Sequence, residues 1–481
     1  MTRRSRKEAG TDHDDAPFVR KVPPEVSVAQ GTRALVAVVG RPNVGKSTLF
    51  NRLAGRRLAI VEDVPGVTRD RHYADADLRG RPYVLVDTGG FDPSARDPVI
   101  AGIREQVRVA VSEADVVVFV TDATAPLQDA DREAIKLLRR SGRPVIYVAN
   151  KSDSAKRDAD AYEIYSMGVS HVIPISALHG RGMIELGSAI EASLPAPSEP
   201  GPEADAGIPR VAVVGRPNAG KSSLINRLMG TERLLVDSRP GTTTDAIDTF
   251  VRRGDRSYVF VDTAGIRRKR SVSEAVELTS VMHAIRAIER ADVVVLLFDA
   301  TEGVLSDQDL RILSLAEERG CGIILGLNKI DQLDAETDRG VVTSSRERTT
   351  FAPWVPIVRL SAKLGKGTGT LLQTIDKVYA SLRQRVTTGE VNRFFEEVID
   401  RHPPPPQSGR SVRLYYIAQV GVAPPRFAAV SNFADLVPDS YARYVQNQLR
   451  ERFGFEGVPL RVVFRDKRKR NYGGGGGDEK R

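Results

Sequence analysis

The chain alternates short, continuous apolar runs with longer amphipathic segments of helix length. The first run is Ala34–Val39, and similar runs follow at Tyr83–Val86, Val116–Val120 and Val145–Ala149. An unbroken apolar run is typical of a parallel strand that is buried on both faces. Strands that alternate with helices form crossover units, so the pattern predicts an α/β fold with a doubly wound, mostly parallel sheet.

The same order of motifs occurs twice along the chain. A proline-rich segment at 195–208 has the composition of a linker, and a new apolar run follows it directly. Lys46 recurs as Lys221, 175 residues later, and Asn150 recurs as Asn328, 178 residues later. A nearly constant offset of this length indicates duplication of a whole domain, because solenoid repeats are far shorter.

A third unit of a different kind begins near Thr387. Its pattern predicts a small α+β layer, with helices at Glu390–Arg401 and Asp439–Phe453 and strands at Val412–Gln419, Phe427–Ser431 and Leu460–Phe464. The length of 481 residues agrees with three domains. The predicted division is a disordered arm at 1–32, a first domain at 33–194, a linker at 195–208, a second domain at 209–386, a third domain at 387–466 and a disordered basic, glycine-rich tail at 467–481.

Each of the two repeated units contains a phosphate-binding loop between a strand and a helix. The loops are Gly40-Arg41-Pro42-Asn43-Val44-Gly45-Lys46-Ser47 and Gly215-Arg216-Pro217-Asn218-Ala219-Gly220-Lys221-Ser222. Backbone N–H groups and a helix N-terminus must converge on a phosphate, and glycines let the chain approach it. Lys46 and Lys221 are expected between the β- and γ-phosphates, and Ser47 and Ser222 on Mg²⁺.

A second pair of motifs selects guanine over adenine. Asn150-Lys151-Ser152-Asp153 and Asn328-Lys329-Ile330-Asp331 each end a predicted buried strand, where an α/β sheet places its ligand loops. The carboxylate of Asp153 or Asp331 can accept both N–H donors of guanine, whereas adenine would leave it buried and unpaired. Ser176-Ala177 and Ser361-Ala362 fit the loop whose backbone contacts the guanine oxygen.

A third pair of motifs is expected to hold Mg²⁺ and to detect the γ-phosphate. Asp87-Thr88-Gly89-Gly90 and Asp262-Thr263-Ala264-Gly265 close predicted apolar strands, so that each aspartate holds Mg²⁺ through water and each final glycine N–H contacts the γ-phosphate. Thr68 and Thr243 are the candidate switch threonines that reach Mg²⁺ when a triphosphate is bound. Thr242 and Thr244 are close rivals in the second unit.

Composition narrows the setting without adding chemistry. Hydrophobic content of 41% and charged content of 28% are ordinary for a globular protein, and no apolar stretch is long enough for a membrane span. The single cysteine, Cys321, lies in an apolar run and is predicted to be a core residue. We therefore expect a cytoplasmic protein. From 387 to 481 there are 16 basic and 11 acidic residues, which suits either a nucleic-acid partner or simple solubility.

The motifs and their order resemble the Der family of bacterial GTPases, also called EngA. The likeness runs from Ala34 to about Arg465 and includes the C-terminal pattern Gln419…Pro424-Pro425…Asn432…Ser440-Tyr441…Arg443-Tyr444. It implies two tandem Ras-like P-loop GTPase domains, a KH-like third domain, and a role in maturation of the large (50S) ribosomal subunit. The implied partners are that subunit and its rRNA, with no DNA and no membrane, and the chain is expected to be a monomer.

The sequence departs from the family and from Ras-like enzymes beside the switches. Thr244 stands where the first unit has Arg69, the arginine that usually follows the switch threonine. Phe91 and Ile266 occupy the place of the glutamine that orients water in Ras-like enzymes. One interpretation is loss of catalysis. The other, implied by the resemblance, is slow hydrolysis stimulated by K⁺, with the ion held by Asn43 and Asn218 and its charge replacing an arginine finger.

Three further alternatives concern the role of the protein. An RNA-modifying enzyme that uses GTP as a timer would need another catalytic cluster, and the sequence offers one cysteine and six scattered histidines. A structural RNA-binding scaffold would not need the intact Lys46 and Lys221. Gly454-Phe455-Glu456-Gly457 resembles the clamp of RNA-binding KH domains, but its place between a helix and a strand favours a plain turn.

Overall fold

The computed structural model describes residues 33–55, 73–88, 99–153, 163–196, 207–230, 248–263, 276–407 and 409–467. Within these residues the chain forms two six-stranded sheets and one three-stranded sheet.

The first sheet has the strand order β2-β3-β1-β4-β5-β6, in which only the β2–β3 pair is antiparallel. Its strands are β1 (Ala34–Val39), β2 (Tyr73–Leu78), β3 (Arg81–Asp87), β4 (Val116–Asp122), β5 (Val145–Asn150) and β6 (Val172–Pro174). The helices are α1 (Lys46–Ala54), α2 (Val99–Glu113), α3 (Asp129–Arg140), α4 (Glu163–Ser166) and α5 (Met183–Ser193). The predicted apolar runs are the buried central strands, which confirms the parallel sheet.

The second sheet repeats this order as β8-β9-β7-β10-β11-β12, again with one antiparallel pair, β8–β9. Its strands are β7 (Arg210–Val214), β8 (Thr249–Arg253), β9 (Arg256–Phe260), β10 (Val293–Asp299), β11 (Gly322–Asn328) and β12 (Ile357–Arg359). The helices are α6 (Lys221–Gly230), α7 (Val276–Glu289), α8 (Asp307–Arg319), α9 (Ala335–Arg348) and α10 (Thr368–Arg383), with short 3₁₀ turns at Ala300–Glu302 and Ile330–Gln332. Both predicted GTPase folds are therefore present.

The third unit is a three-stranded sheet covered on one face by two helices. The elements are α11 (Thr388–Arg401), β13 (Leu414–Gly421), β14 (Arg426–Ser431), a 3₁₀ turn at Ala434–Leu436, α12 (Asp439–Phe453) and β15 (Arg461–Asp466). β13 pairs antiparallel and β15 parallel with the central β14. The predicted order of elements is confirmed. β13 begins two residues later than predicted, at Leu414, because Arg413 pairs with the Asn432 side chain at the end of the sheet.

Cys321 is buried in the second domain, as predicted, and its thiol donates to the carbonyl of Ala291 at 3.4 Å. Burial raises the pKa of this thiol. In the described part of the chain, no helix combines the length and the apolar character that crossing a bilayer requires.

The two GTPase domains pack directly against each other through α2 and α7. One contiguous cluster of buried apolar side chains includes Val107 and Ala110 of α2 together with Met282 and Ile285 of α7. Each of these helices follows the aspartate motif of its own domain in sequence. A change at either motif can therefore reach the contact between the domains through the helix that follows it.

A charged network crosses the same interface. Arg319, at the end of α8, contacts Glu289 at the end of α7 and places its Nη2 2.6 Å from the Oδ1 of Asp75 on β2. Arg33 contacts the Asp75 carboxylate from the first domain at 2.9 Å. The side chains of Arg319 and Glu289 are each only 6% exposed. Burial alone raises the pKa of Asp75, but the two arginines outweigh it and hold that pKa below its usual value.

A second polar link joins the domains beside the second aspartate motif. The Nδ1 of His283 lies 3.1 Å from a carboxylate oxygen of Glu113 in the first domain and 3.3 Å from Oδ2 of Asp262. Arg286, one turn further along α7, donates to the Glu113 carbonyl at 2.6 Å and to Asp115 at 2.9 Å. Asp262 is therefore tied to the docked position of the first domain.

The third unit is anchored on the second GTPase domain by main-chain bonds. The Ile323 N–H donates to the Gly457 carbonyl at 2.7 Å, and the Gly457 N–H donates to the Trp354 carbonyl at 3.0 Å. The Arg450 guanidinium lies over the Trp354 ring at 4.7 Å. The Gly454–Gly457 segment is a turn between α12 and β15 that contacts this domain, as the turn interpretation predicted.

Candidate nucleotide sites

Each phosphate-binding loop leaves the central strand of its sheet and enters a helix whose first residue is the lysine. Gly40 and Gly215 have φ of 154° and 141°, and a β-carbon there would collide with the Val120 or Leu297 carbonyl of the neighbouring strand. Only glycine fits where the loop crosses this strand so closely.

The two lysine amino groups lie inside their own loops. Lys46 Nζ donates to the Arg41 carbonyl at 2.7 Å, and Lys221 Nζ donates to the Gly215 and Arg216 carbonyls, each at 2.6 Å. The loop carbonyls therefore hold each ammonium beside the N-terminus of its helix. This is the place where the predicted phosphate contacts require it.

The first site brings its two predicted metal-holding side chains together. Ser47, at the start of α1, donates its hydroxyl to the Asp87 carboxylate at the end of β3 at 2.8 Å, although the residues are 40 apart in sequence. A hydroxyl and a carboxylate beside the phosphate loop are hard oxygen donors, which fit Mg²⁺.

The second site differs at the equivalent aspartate. Asp87 closes its strand as predicted, but the prediction that Asp262 closes a strand is wrong, because β9 ends at Phe260 and Asp262 has a φ of 54°. The Asp248 carboxylate accepts the Asp262 N–H at 3.0 Å, which holds the chain in this turn. The Asp262 carboxylate then faces His283.

The threonines next to these aspartates direct their hydroxyls to other parts of the protein. Thr88 donates to the Val38 carbonyl at 2.8 Å, and the Thr263 hydroxyl lies 2.6 Å from that of Thr249. Both side chains fix the end of a strand against its neighbour. Any contact of these two predicted residues with nucleotide is thereby left to their backbone.

The asparagines of the guanine motifs join three loops in each domain. Asn150 donates to the Val44 carbonyl at 2.8 Å and accepts from the Ala177 N–H at 2.9 Å. Asn328 repeats the arrangement, donating to the Ala219 carbonyl at 2.7 Å and accepting from the Ala362 N–H at 2.9 Å. Phosphate loop and base loops are therefore fixed relative to each other by one buried side chain.

The lysines of the guanine motifs are held by aspartates that the sequence analysis missed. Lys151 and Lys329 both have a φ of 66°, and their ammonium groups contact Asp122, at 2.6 Å, and Asp299. Burial raises the pKa of each aspartate, but the lysine and a neighbouring threonine outweigh it and lower that pKa. Both aspartates end central strands, a position that could have marked them.

The base-recognition carboxylates lie exposed at the ends of their loops. Asp153 accepts from the Ser176 hydroxyl at 2.7 Å, which links the two predicted base loops of the first domain. Ser152 is buried and its carbonyl accepts from Arg181 at 2.9 Å. Asp331 lies on the 3₁₀ turn Ile330–Gln332, exposed at the end of β11. The arrangement leaves a carboxylate open at each predicted guanine position.

Two arginines that the sequence analysis did not single out support the serine–alanine loops. Arg52 on α1 donates to the Ala177 and Leu178 carbonyls, and Arg227 on α6 donates to the Ala362 and Lys363 carbonyls. These contacts recur at the repeat offset of 175 residues.

Several predicted residues lie outside the described part of the chain. They are the switch threonines Thr68 and Thr243, their neighbours Arg69, Thr242 and Thr244, the motif residues Gly89, Gly90, Ala264 and Gly265, and the hydrophobic residues Phe91 and Ile266.

Two phosphate loops, each combined with an asparagine–lysine–x–aspartate loop on a sheet of the same strand order, define a tandem-domain GTPase. Family models agree with this class. A 50S ribosome-binding GTPase model matches residues 35–151 and 210–329, and a model for the C-terminal KH-domain-like part of EngA bacterial GTPase enzymes matches residues 385–465.

Relatives extend the match to nearly the whole chain. GTPase Der of Geobacter sp. (strain M21) is 46% identical over 441 residues, covering 91% of this chain and all of that protein. GTPase Der of Myxococcus xanthus is also 46% identical, covering 90% and 95%. The structure of Era with MgGDPNP and nucleotides 1506–1542 of 16S ribosomal RNA is 23% identical, covers 54% of this chain and 88% of that one, and has a TM-score of 0.28, too distant to bear on function. The chain belongs to the Der (EngA) family of GTPases and is a GTP hydrolase.

Proposed function

We propose that the chain is a nucleotide-dependent switch in maturation of the large (50S) ribosomal subunit, and that its nucleotide state controls domain docking and rRNA binding. The observation that carries the switch proposal is the contact between α2 and α7, since each helix follows the aspartate motif of its domain. Its ribosomal role is supported by the matched model, which is named for 50S ribosome-binding GTPases. Such a role places the protein in the cytoplasm, where we propose that it acts as a monomer.

The two sites are proposed to differ in how strongly they affect docking. Asp262 shares His283 with Glu113 of the first domain, whereas Asp87 bonds to Ser47 within its own domain. When the second site holds a triphosphate, Asp262 is needed at its metal and turns away from His283. The link to Glu113 then weakens. We therefore propose that the second site releases the first domain.

Chemistry at each site is assigned to the predicted residues. Bound Mg²⁺ neutralises charge on the β- and γ-phosphates. Lys46 and Lys221 contact the same phosphates, while Ser47, Asp87, Ser222 and Asp262, with the switch threonines Thr68 and Thr243, hold the ion. Gly90 and Gly265 detect the γ-phosphate through their N–H groups.

A potassium ion is proposed to replace the charge of an arginine finger. Asn43 and Asn218 have φ of 63° and 65°, which turns each exposed side chain away from the buried floor of its loop. Their amide oxygens are hard donors that suit K⁺. With Phe91 and Ile266 in place of a water-orienting glutamine, hydrolysis is slow without this ion.

GTP turnover by the full chain is expected to be at least about tenfold faster in KCl than in NaCl of equal ionic strength, because a fixed cation stabilises the developing phosphate charge. Phosphate release measured in each salt tests this. The double variant Asn43→Ala, Asn218→Ala is expected to lose the K⁺ response and keep nucleotide binding. Equal rates in the two salts would reject the potassium assignment.

Co-sedimentation with ribosomal subunits tests the proposed role. The chain is expected to travel with the 50S subunit in a sucrose gradient with a non-hydrolysable GTP analogue, and less so with GDP. The variant Lys221→Ala, which loses the phosphate contact of the second site, is expected to behave as the GDP form does. Identical sedimentation with analogue, with GDP and without nucleotide would contradict a nucleotide-controlled ribosome contact.

A further inference from the structure

The third domain leaves one face of its sheet open. The helix-side face packs Ile417, Phe427 and Ala429 against α11 and α12. Cross-strand register places Tyr416, Val430 and Arg465 in one row on the other face, and Ala418, Ala428 and Val463 in the next. We call this surface the open face.

A β-bulge concentrates aromatic side chains at one end of the open face. The register of β13 shifts between Leu414 and Tyr416, so Tyr415 and Tyr416 together oppose Val430 and do not alternate between faces. Tyr415 is 43% and Tyr416 53% exposed. The Lys467 ammonium lies 4.7 Å from the centre of the Tyr415 ring, which places both side chains on the same face.

The open face is also strongly basic. β15 alternates, so Arg461, Val463 and Arg465 point to it, and Lys467 follows in the same alternation. The segment 407–434, which supplies β13 and β14, contains three arginines and no aspartate or glutamate. Asp466, the acidic residue of β15, lies between these positions and accepts the Ala434 N–H at 2.7 Å.

Anchoring of the domain leaves this end of the sheet pointing outward. Ala423 donates to the Leu382 carbonyl at 3.0 Å, and the Arg461 guanidinium donates to the Glu318 carbonyl. Both contacts with the second GTPase domain lie at the opposite end of the sheet from the tyrosines. The Gly454–Gly457 turn is committed to the same domain contact, so the usual KH clamp position is not used for RNA here.

We propose that the open face binds single-stranded RNA, with bases stacked on Tyr415 and Tyr416 and phosphates bound by Arg465 and Lys467. This inference rests on the proposed rRNA-binding function and assigns the surface that carries it. Exposed aromatic rings with interleaved cations suit unstacked bases, because every base has a face to stack and every nucleotide a phosphate. A paired helix hides its base faces, so the single strand is preferred.

The test is fluorescence anisotropy of the full chain with a labelled 12-nucleotide single-stranded RNA and with its duplex. The single strand is expected to bind more tightly, and Tyr416→Ala to weaken it about tenfold. Tyr416→Phe is expected to retain binding because the ring remains. Tyr165→Ala, at a similarly exposed tyrosine of the first GTPase domain, is the matched control. Lys467→Ala is expected to lower the salt dependence, reducing the slope of log K against log salt by about 0.7.

Each outcome separates this surface from the broader proposal. Unchanged single-strand affinity in Tyr415→Ala and Tyr416→Ala, with GTP turnover intact, would overturn the assignment, and so would equal affinity for the duplex. If the variants lose binding to the 50S subunit but keep RNA affinity, the face contacts a ribosomal protein and the inference is wrong. If wild-type protein binds the RNA through these tyrosines but never sediments with the subunit, the inference survives and the ribosomal role fails.

Discussion

Asp331→Asn is expected to lower the affinity of the second site for GTP by roughly a thousandfold and to create a site for xanthosine triphosphate. The carboxylate offers acceptors to both guanine N–H groups. The amide of asparagine turns one of these into a donor that faces a donor. Xanthine carries an oxygen in place of the guanine amino group, so the same amide then finds a partner.

The structure makes this substitution local. Asp331 is exposed at the end of β11, and the neighbouring loops are held by Asn328 and not by Asp331 itself. Titration with fluorescent GTP and XTP measures both affinities. Asp153→Asn performs the same test on the first site, and Asp255→Asn, in the exposed β8–β9 turn, is the control. Unaltered GTP affinity in the Asp331 variant would show that this loop does not read the base.

Arg319→Ala is expected to release the first GTPase domain from the second. Arg319 contacts Glu289, and each of these side chains is 6% exposed, so the substitution leaves a buried carboxylate without its main partner. Breaking one side of a buried ion pair costs about 3–5 kcal/mol. Burial already raises the pKa of Glu289, which shows that this carboxylate depends on the arginine for its charged form. The domains separate because separation rehydrates it.

Small-angle scattering of the GDP form measures the release as an increase in radius of gyration. Arg339→Ala, an exposed arginine on α9, is the matched control and is expected to leave scattering unchanged. Each separated domain keeps its own sheet, so nucleotide affinity is expected to persist. A compact Arg319 variant with wild-type scattering would mean that the apolar contact between α2 and α7 is sufficient for docking.

The interface also explains why the two sites are not copies of one another. Residues at the repeat offset share the phosphate loop, the bridging asparagine and the braced lysine. The aspartates diverge, since Asp87 completes a strand and bonds to Ser47, whereas Asp262 lies in a turn against His283. Duplication preserved the binding chemistry, while domain packing surrounds only the second aspartate with interface residues.

Much of the site was predictable because nucleotide recognition uses short continuous segments. A phosphate loop needs glycines, a lysine and a helix start within eight residues, and all of these occur in one segment. The base loops follow strands whose apolar runs are visible in the sequence. The arginines on α1 and α6 were not predicted, since an arginine on an amphipathic helix resembles any solvated charge until a partner loop approaches it.

By itself, the sequence determined the two GTPase folds, the guanine preference and the order of elements in the third domain, because periodicity and loop chemistry are local properties. Tertiary structure alone decided which charges meet. Arg319 and Asp75 are 244 residues apart, and their contact exists because the two domains pack face to face. The turn at Asp262 and the outward tyrosines of the open face depend likewise on neighbours contributed by distant segments, which no local pattern specifies.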